Sequence, residues 1–201
     1  RRISRVRTAA VASGQDIVRR CAVLAKKMGV RIPDVLESPF VGSPFLAGIV
    51  RPAILLPENC GRDDMIDDDV LLHELAHLTR GDCFWSMLGK IGNIIIPFQP
   101  LLRRLQRKID DTSDLVCDDY VLQYSLDPHA YACRLFDIAD RYHRSRTLYV
   151  PVANLVSFNS LLGRRIERIL DTTRAISIGT GKRSVIRVGT LCFLLTVLLG
   201  F

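Results

Sequence analysis

A chain of 201 residues is long enough for one domain with a real core, or for one domain and a membrane segment. Its net charge of +7 suits contact with nucleic acid or with the cytoplasmic face of a membrane. The six cysteines have no CxxC spacing, which argues against a zinc ribbon and against a disulfide framework, so a reducing compartment is favoured.

The first part of the chain predicts one helix followed by short strands. Residues 1–14 are basic and polar and are interpreted as a juxtamembrane lead-in. Apolar residues recur at helical spacing from Gln15 to Met28, and Gly29 ends this helix. The stretches VRIPDVLES and PFLAGIVRPAILLP then predict β-strands, and the second stretch contains a turn near Arg51 and Pro52.

The rest of the chain is predicted to be mainly helical. Acidic residues from Asp63 to Asp69 favour a helix start, and that helix runs to about Arg80 with Gly81 as its stop. The later helices are predicted over 83–96, from Pro100 to about Leu126, from about Pro128 to Arg144, and in SLLGRRIERIL. The predicted fold class is therefore α+β, mainly α, with a small β element.

Two apolar segments allow two interpretations each. The stretch CFWSMLGKIGNIIIPF is either a helix at the membrane interface with Trp85 as an anchor or an ordinary core helix. Residues 188–201 carry no charge and follow Lys182, Arg183 and Arg187. Their 14 residues fall short of the span of about 20 that a bilayer needs, so they predict the start of a transmembrane helix, with a buried helix as the alternative.

The segment LLHELAHL points to a metal centre. Two histidines four residues apart lie on one face of a helix, so His73 and His77 can direct their nitrogens at one ion. Glu74 lies next to them and can reach a water molecule on that ion. Two neutral imidazoles, a carboxylate base and an open position form the arrangement of zinc hydrolases, so the motif predicts Zn²⁺ with Glu74 as general base.

A catalytic zinc usually has a third protein ligand, which the chain must supply elsewhere. Downstream of Glu74 the only glutamate is Glu167, in a basic helix, which leaves Asp and Cys as the better candidates. Asp114 is assigned as the third metal ligand, and Asp118, four residues on, as the acceptor for the N–H of a ligand imidazole. The alternatives for the third ligand are Cys117 first, then Asp110 and Asp111, with His129 and His143 possible but without a supporting pattern.

Four stretches in order resemble the BlaR/MecR-type membrane metallopeptidases, the family of antirepressor sensors. They are ESPFVGSPFLAGIVRPAILLPE, VLLHELAHLTRGD, PFQPLLRRLQRKI and SDLVCDDYVL, within roughly residues 20–170. Two positions depart from the family pattern. Gln99 stands where Asn is usual, and Asp114 aligns with the metal-binding Glu of the family and is one methylene shorter.

The resemblance implies a zincin-like peptidase domain, placed over 15–172. The residues after it predict a basic linker over 173–187 and the start of a transmembrane helix over 188–201. The resemblance also implies a place on the cytoplasmic face of a bacterial inner membrane, in contact with lipids, and strands within 45–56 that hold a peptide substrate. The substrate would be a repressor or the chain's own linker near Ser157 and Phe158.

Two rival functions complete the analysis. The first is a signalling or scaffold module of the same fold with impaired catalysis, in which Asp114 fails as a ligand. The second is a basic protein that binds nucleic acid, but the Arg clusters lack a helix-turn-helix or an aromatic platform. Anionic headgroups or solvent suit those clusters better, so no direct contact with nucleic acid is expected.

Overall fold

The computed structural model describes residues 10–58, 66–95, 100–125, 127–145, 161–174 and 176. Within these ranges the strands are β1 (Val11–Ala12), β2 (Asp34–Ser38), β3 (Phe45–Ala47) and β4 (Ala53–Pro57). The helices are α1 (Gln15–Lys27), α2 (Asp68–Arg80), α3 (Asp82–Ile95), α4 (Pro100–Tyr124), α5 (Pro128–Ser145) and α6 (Leu161–Leu170). The predicted class, mainly helical with a small sheet, is confirmed.

The four strands form one mixed sheet in the order β1-β2-β4-β3. Strand β4 lies in the middle, parallel to β2 and antiparallel to β3, with Leu46 opposite Ile54. The turn predicted near Arg51 and Pro52 does separate β3 from β4. The sequence analysis did not predict β1, which pairs antiparallel with β2 from within residues 1–14. Strand β3 is left at the edge of the sheet.

The core lies between this sheet and the first two helices. Successive residues of β4 face opposite sides, so Ile54 and Leu56 pack in the main core and Leu55 in a smaller cluster with Val41 and Ala47. The main core also takes buried side chains from α1, such as Cys21, and from α2, such as Leu71 and Leu75. Each fully buried aliphatic side chain contributes about 1.5–3 kcal/mol, so α2 is anchored along its inner face.

The end of α2 sets the position of the next helix. Gly81 adopts a left-handed conformation with φ of 69°, and its N–H donates to the carbonyls of His77 and Leu78. A side chain at this position would be strained, so glycine allows the chain to turn at once into α3. The turn brings Asp82, the first residue of α3, back beside His77.

No helix in the described ranges is long and apolar enough to cross a membrane. The predicted membrane helix over 188–201 lies outside the described residues, as do most of the predicted linker and the segment near Ser157 and Phe158. The apolar stretch that begins at Cys83 does form a helix, α3. Six of its large apolar side chains are exposed, so the interpretation of α3 as an ordinary core helix is wrong.

Candidate metal centre

The two histidines of the HELAH segment lie on α2, one helical turn apart. Their ring centroids are 5.0 Å apart, and the ring planes meet at 82°. The side chain of His73 is 12% exposed and that of His77 is 18% exposed, so both rings lie at the border between the core and solvent. Glu74 follows His73 and is buried. The helix therefore places two imidazoles and a carboxylate at one point of the surface.

Helix α4 packs against α2 and brings Asp114 to the same point. One ligand atom each from His73, His77 and Asp114 lies within 4.8 Å of the other two. The Nε2 atom of His77 is 3.6 Å from the Oδ1 atom of Asp114. These are the three residues that the sequence predicts as metal ligands. The structure brings them together from two helices, although His77 and Asp114 are 37 positions apart in the chain.

A carboxylate lies within hydrogen-bond distance of the Nδ1 nitrogen of each imidazole. The Nδ1 atom of His73 is 3.1 Å from Asp118 Oδ1, and the Nδ1 atom of His77 is 2.8 Å from Asp82 Oδ2. A ligand histidine typically donates one N–H to such a carboxylate, which fixes the tautomer and leaves the second nitrogen for the metal. The donor set of two Nε2 atoms and one carboxylate oxygen therefore suits Zn²⁺.

Asp118 is the most deeply buried carboxylate of the centre, with 1% of its side chain exposed. It accepts hydrogen bonds from Arg165 Nε at 2.8 Å, from Arg165 Nη2 at 2.7 Å and from the Tyr131 hydroxyl at 2.7 Å. Burial alone would raise the pKa of Asp118, but the bonds and the charge of Arg165 outweigh burial and hold this pKa well below its usual range. Asp118 therefore stays ionised as the acceptor beside His73.

The Nδ1 atom of His77 is surrounded by the side chains of Asp82, Ser113 and Cys117. Ser113 donates a very short hydrogen bond to Asp82, which bonds to this nitrogen, and Cys117 Sγ lies 3.3 Å from it. Burial pulls the pKa of His77 down, but the bonds with Asp82 and Cys117 and the charge of Glu74 raise it to about 11. In the metal-free centre His77 is therefore protonated at neutral pH, and a metal must displace that proton.

Among the described residues, none of the alternatives for the third ligand forms a close group with both histidines. Cys117 is on the Nδ1 side of His77, where it forms a second close group with His77 and Asp82. Burial raises the pKa of the Cys117 thiol, which disfavours the thiolate that a metal would need. Asp110 bonds to Gln106, and His129 is exposed at the start of α5. The side chain of His143 is outside the described part of the structure.

The centre opens into a cavity of about 930 Å³. Its polar floor includes Glu74, Asp114 and Arg165 as well as the two histidines. Its walls are largely apolar and come from edge strand β3 and the loop after it, from α3, and from α5 through Leu135 and Ile138. A long groove with one polar floor and apolar walls suits a chain-like ligand that carries apolar side chains.

Sequence reasoning missed three residues of the centre. Asp82 could be found from the sequence, because it is the last residue of the segment VLLHELAHLTRGD and directly follows the glycine that ends α2. Tyr131 and Arg165 come from α5 and α6 and had no local signal, since nothing in their own segments marks them as partners of Asp118. Only the packing of α5 and α6 against α4 shows their contacts.

Comparison with known proteins shows the family of the chain. The sequence profile described as BlaR1 peptidase M56 matches residues 2–169. The chain belongs to the BlaR1 peptidase M56 family. The regulatory protein BlaR1 of Bacillus licheniformis is 34% identical over 90 residues, which cover 43% of this chain and 15% of that protein. The resemblance stated from the four motifs is thereby confirmed, and M56 membership makes the chain a domain of the metallopeptidase type found in signalling regulators.

Proposed function

We propose that this M56 domain is a zinc-dependent endopeptidase within a bacterial signalling regulator. The observation that carries the proposal is the convergence of His73, His77 and Asp114 within 4.8 Å, beside the buried Glu74. Two imidazoles already oriented by carboxylates, with a third oxygen donor, support a zinc site over a chance grouping of polar side chains. In this proposal the three residues hold the metal, and Asp118 and Asp82 orient the rings.

Glu74 is the proposed general base. Zinc at this site would supply a Lewis acid that polarises a peptide carbonyl and acidifies water. The Glu74 carboxylate lines the same cavity, where it can accept the proton of the attacking water and pass it to the leaving amine. Because Glu74 is buried, few other water molecules compete for its carboxylate during that transfer.

The substrate is proposed to be an extended peptide held along β3. This strand is at the sheet edge and lines the cavity, so its outward main-chain groups can pair with an added strand. Such pairing tolerates many sequences, and the apolar walls would favour apolar side chains near the cleaved bond. A cytosolic repressor or the chain's own linker would satisfy these requirements.

The proposed location is the cytoplasmic face of the bacterial inner membrane. It is supported by the uncharged run 188–201 and the basic residues just before it, because cytoplasmic flanks of membrane helices are rich in Lys and Arg. A signal received elsewhere in the regulator would then control cleavage.

A second candidate function is a catalytically impaired module of the same fold. The observation that favours it is the surroundings of Asp114, whose Oδ2 atom is 3.9 Å from Arg165 Nη1. A guanidinium this close competes with a metal for the short side chain of Asp114. Zinc binding without any peptide cleavage would identify the catalytically impaired module.

Metal analysis tests the proposed ligands. The purified chain should bind about one zinc ion, since one tetrahedral site is proposed. His73→Ala should lose this zinc. Asp114→Ala should weaken zinc binding by more than the roughly 10–100-fold that is typical when a residue that only hydrogen-bonds to a metal ligand is lost. His129→Ala is the matched control, because His129 is exposed on α5 and should leave the zinc content unchanged. Full zinc affinity in Asp114→Ala would remove Asp114 as a ligand.

Zinc affinity should depend on pH. The metal-free centre keeps His77 protonated up to a pKa of about 11, and a ligand histidine must be neutral. One proton should therefore leave with each zinc bound, and affinity should rise about tenfold per pH unit between about pH 6 and 8. Competition titrations at several pH values measure this slope. Asp82→Asn should flatten it, since Asp82 raises that pKa, whereas an affinity that is independent of pH in the original chain would contradict the prediction.

A further inference from the structure

Helix α3 carries a continuous row of exposed apolar side chains, called here the α3 stripe. Its members are Phe84, Trp85, Met87, Leu88, Ile91 and Ile94, with exposed fractions between 42% and 77%. Phe84, Leu88 and Ile91 follow one another at spacings of four and three, so they form one line along the helix. A row of six large apolar side chains in contact with water is costly and marks an interaction surface.

The inner side of α3 is already used by α4. At Gly89 the two helices approach so closely that an added Cβ would come within 1.5 Å of Gln106 Oε1. The six side chains of the α3 stripe remain exposed beside this contact, and Trp85 lies one helical turn before Gly89. Helix α4, which packs on α3, also exposes two large apolar side chains, Leu105 at 52% and Ile109 at 44%.

Positive charge predominates around the stripe, although acidic residues flank this stretch of the chain at Asp82, Asp110 and Asp111. Residues 83–109 contain five basic residues and no Asp or Glu. These residues are called here the basic cluster: Lys90, Arg103, Arg104, Arg107 and Lys108. Arg104 and Lys108 directly precede Leu105 and Ile109, so positive charge and exposed apolar surface are adjacent on α4. A partner for this surface must offer both an apolar phase and negative charge.

We propose that the α3 stripe and the basic cluster form a docking surface for an anionic lipid membrane. Apolar side chains of a helix can enter the boundary between headgroups and acyl chains, where tryptophan is favoured, while Lys and Arg contact lipid phosphates. The surface is distinct from the C-terminal run 188–201. Met87 and Lys90 also line the cavity, so docking sets the mouth of the groove against the bilayer, where membrane-proximal segments reach it first.

The single tryptophan of the chain makes the test direct, because Trp85 lies on the stripe itself. The full chain is mixed with vesicles of phosphatidylcholine and phosphatidylglycerol, and the Trp85 emission is recorded. We expect a blue shift, quenching by brominated lipid, and a weak response to vesicles of phosphatidylcholine alone. An emission maximum that stays water-like while the chain sediments with the vesicles would show that another segment binds lipid, and would overturn the proposal.

Matched charge reversals make the test quantitative. The pair Arg104→Glu and Lys108→Glu should raise the lipid concentration that gives half of the Trp85 blue shift by about 20-fold or more. Each basic group near such a membrane surface contributes about fivefold to the affinity for it. The control pair Arg19→Glu and Lys26→Glu has the same charge change on exposed positions of α1 and should shift it less than about threefold. Equal effects of the two pairs would overturn the proposed surface.

Two further measurements separate lipid from other occupants. A blue-shifted emission that depends on chain concentration without lipid would assign the stripe to a second copy and overturn the proposal. Glu74→Gln should bind vesicles like the original chain, because docking does not depend on hydrolysis. Loss of cleavage with intact docking, or the reverse, therefore identifies which of the two proposals fails.

Discussion

Glu74→Gln should lower the rate of peptide cleavage by about 10²–10⁴-fold, the usual contribution of a positioned general base. Gln keeps the size and the polar character of the side chain but cannot accept the proton of the attacking water. Because Glu74 is not among the three residues that hold the metal in this proposal, zinc content should stay unchanged. Cleavage of labelled casein and of the chain itself, followed on gels beside metal analysis, measures both quantities.

The matched control for this substitution is Glu167→Gln. Glu167 is exposed on α6, so the same change of one carboxylate to an amide should leave both cleavage and zinc unchanged. Unchanged cleavage in Glu74→Gln would remove Glu74 as the base. A zinc-loaded original chain that cleaves neither substrate would favour the impaired module over the endopeptidase.

Arg165→Met should destabilise the fold by about 3–5 kcal/mol, the cost of leaving a buried charge without its partner. Asp118 is 1% exposed and accepts two of its hydrogen bonds from Arg165, so the substitution leaves a carboxylate that water cannot reach. Without Arg165, burial raises the pKa of Asp118 and weakens it as the acceptor for His73. Zinc affinity should therefore fall about 10–100-fold, as it does when outer partners of a ligand histidine are lost.

Arg168→Met is the control for this second prediction. Arg168 pairs with Asp119, which is also buried, but Arg174 bonds to the same carboxylate at 3.1 Å. Asp119 thus keeps a cation, and the loss should be about 1.5–3 kcal/mol, the contribution of one hydrogen bond to a charged group. Urea titrations give the free energy of unfolding of both variants.

If Arg165→Met unfolds before zinc can be measured, Arg165→Lys, which keeps the charge but not the paired bonds, should show the weakened zinc binding in a folded chain. Equal losses in Arg165→Met and Arg168→Met would contradict the special role of Arg165.

These contacts connect α6 to the metal centre. Arg165 and Arg168 on α6, with Arg174 just after it, hold Asp118 and Asp119 of α4, and Asp118 holds His73. Helix α6 is the last helix in the described part of the chain. A displacement of α6 would therefore alter the position of Asp118 and the orientation of the His73 ring.

Features carried by local pattern could be predicted from the sequence. The HELAH spacing fixes two imidazoles on one face of α2, and Gly81 ends this helix where its left-handed conformation requires glycine. The four segments that resemble the BlaR/MecR-type peptidases are recognisable from their residues alone, and the family match over 2–169 agrees with them. Strand β1 could not be predicted in this way, because two residues form a strand only through their pairing with β2.

The sequence by itself determined the helical framework, the family and the placing of His73 and His77 on one face of α2, since these depend on residue types and on their spacing along the chain. It also offered Asp114 as a candidate third ligand. The tertiary structure alone decided that Asp82 holds the imidazole of His77, that Arg165 and Tyr131 meet at Asp118, and that Cys117 lies beside the Nδ1 atom of His77. These are contacts between residues 5 to 47 positions apart. Their distances are set by how α4, α5 and α6 pack on α2, and packing depends on the whole core rather than on any single segment.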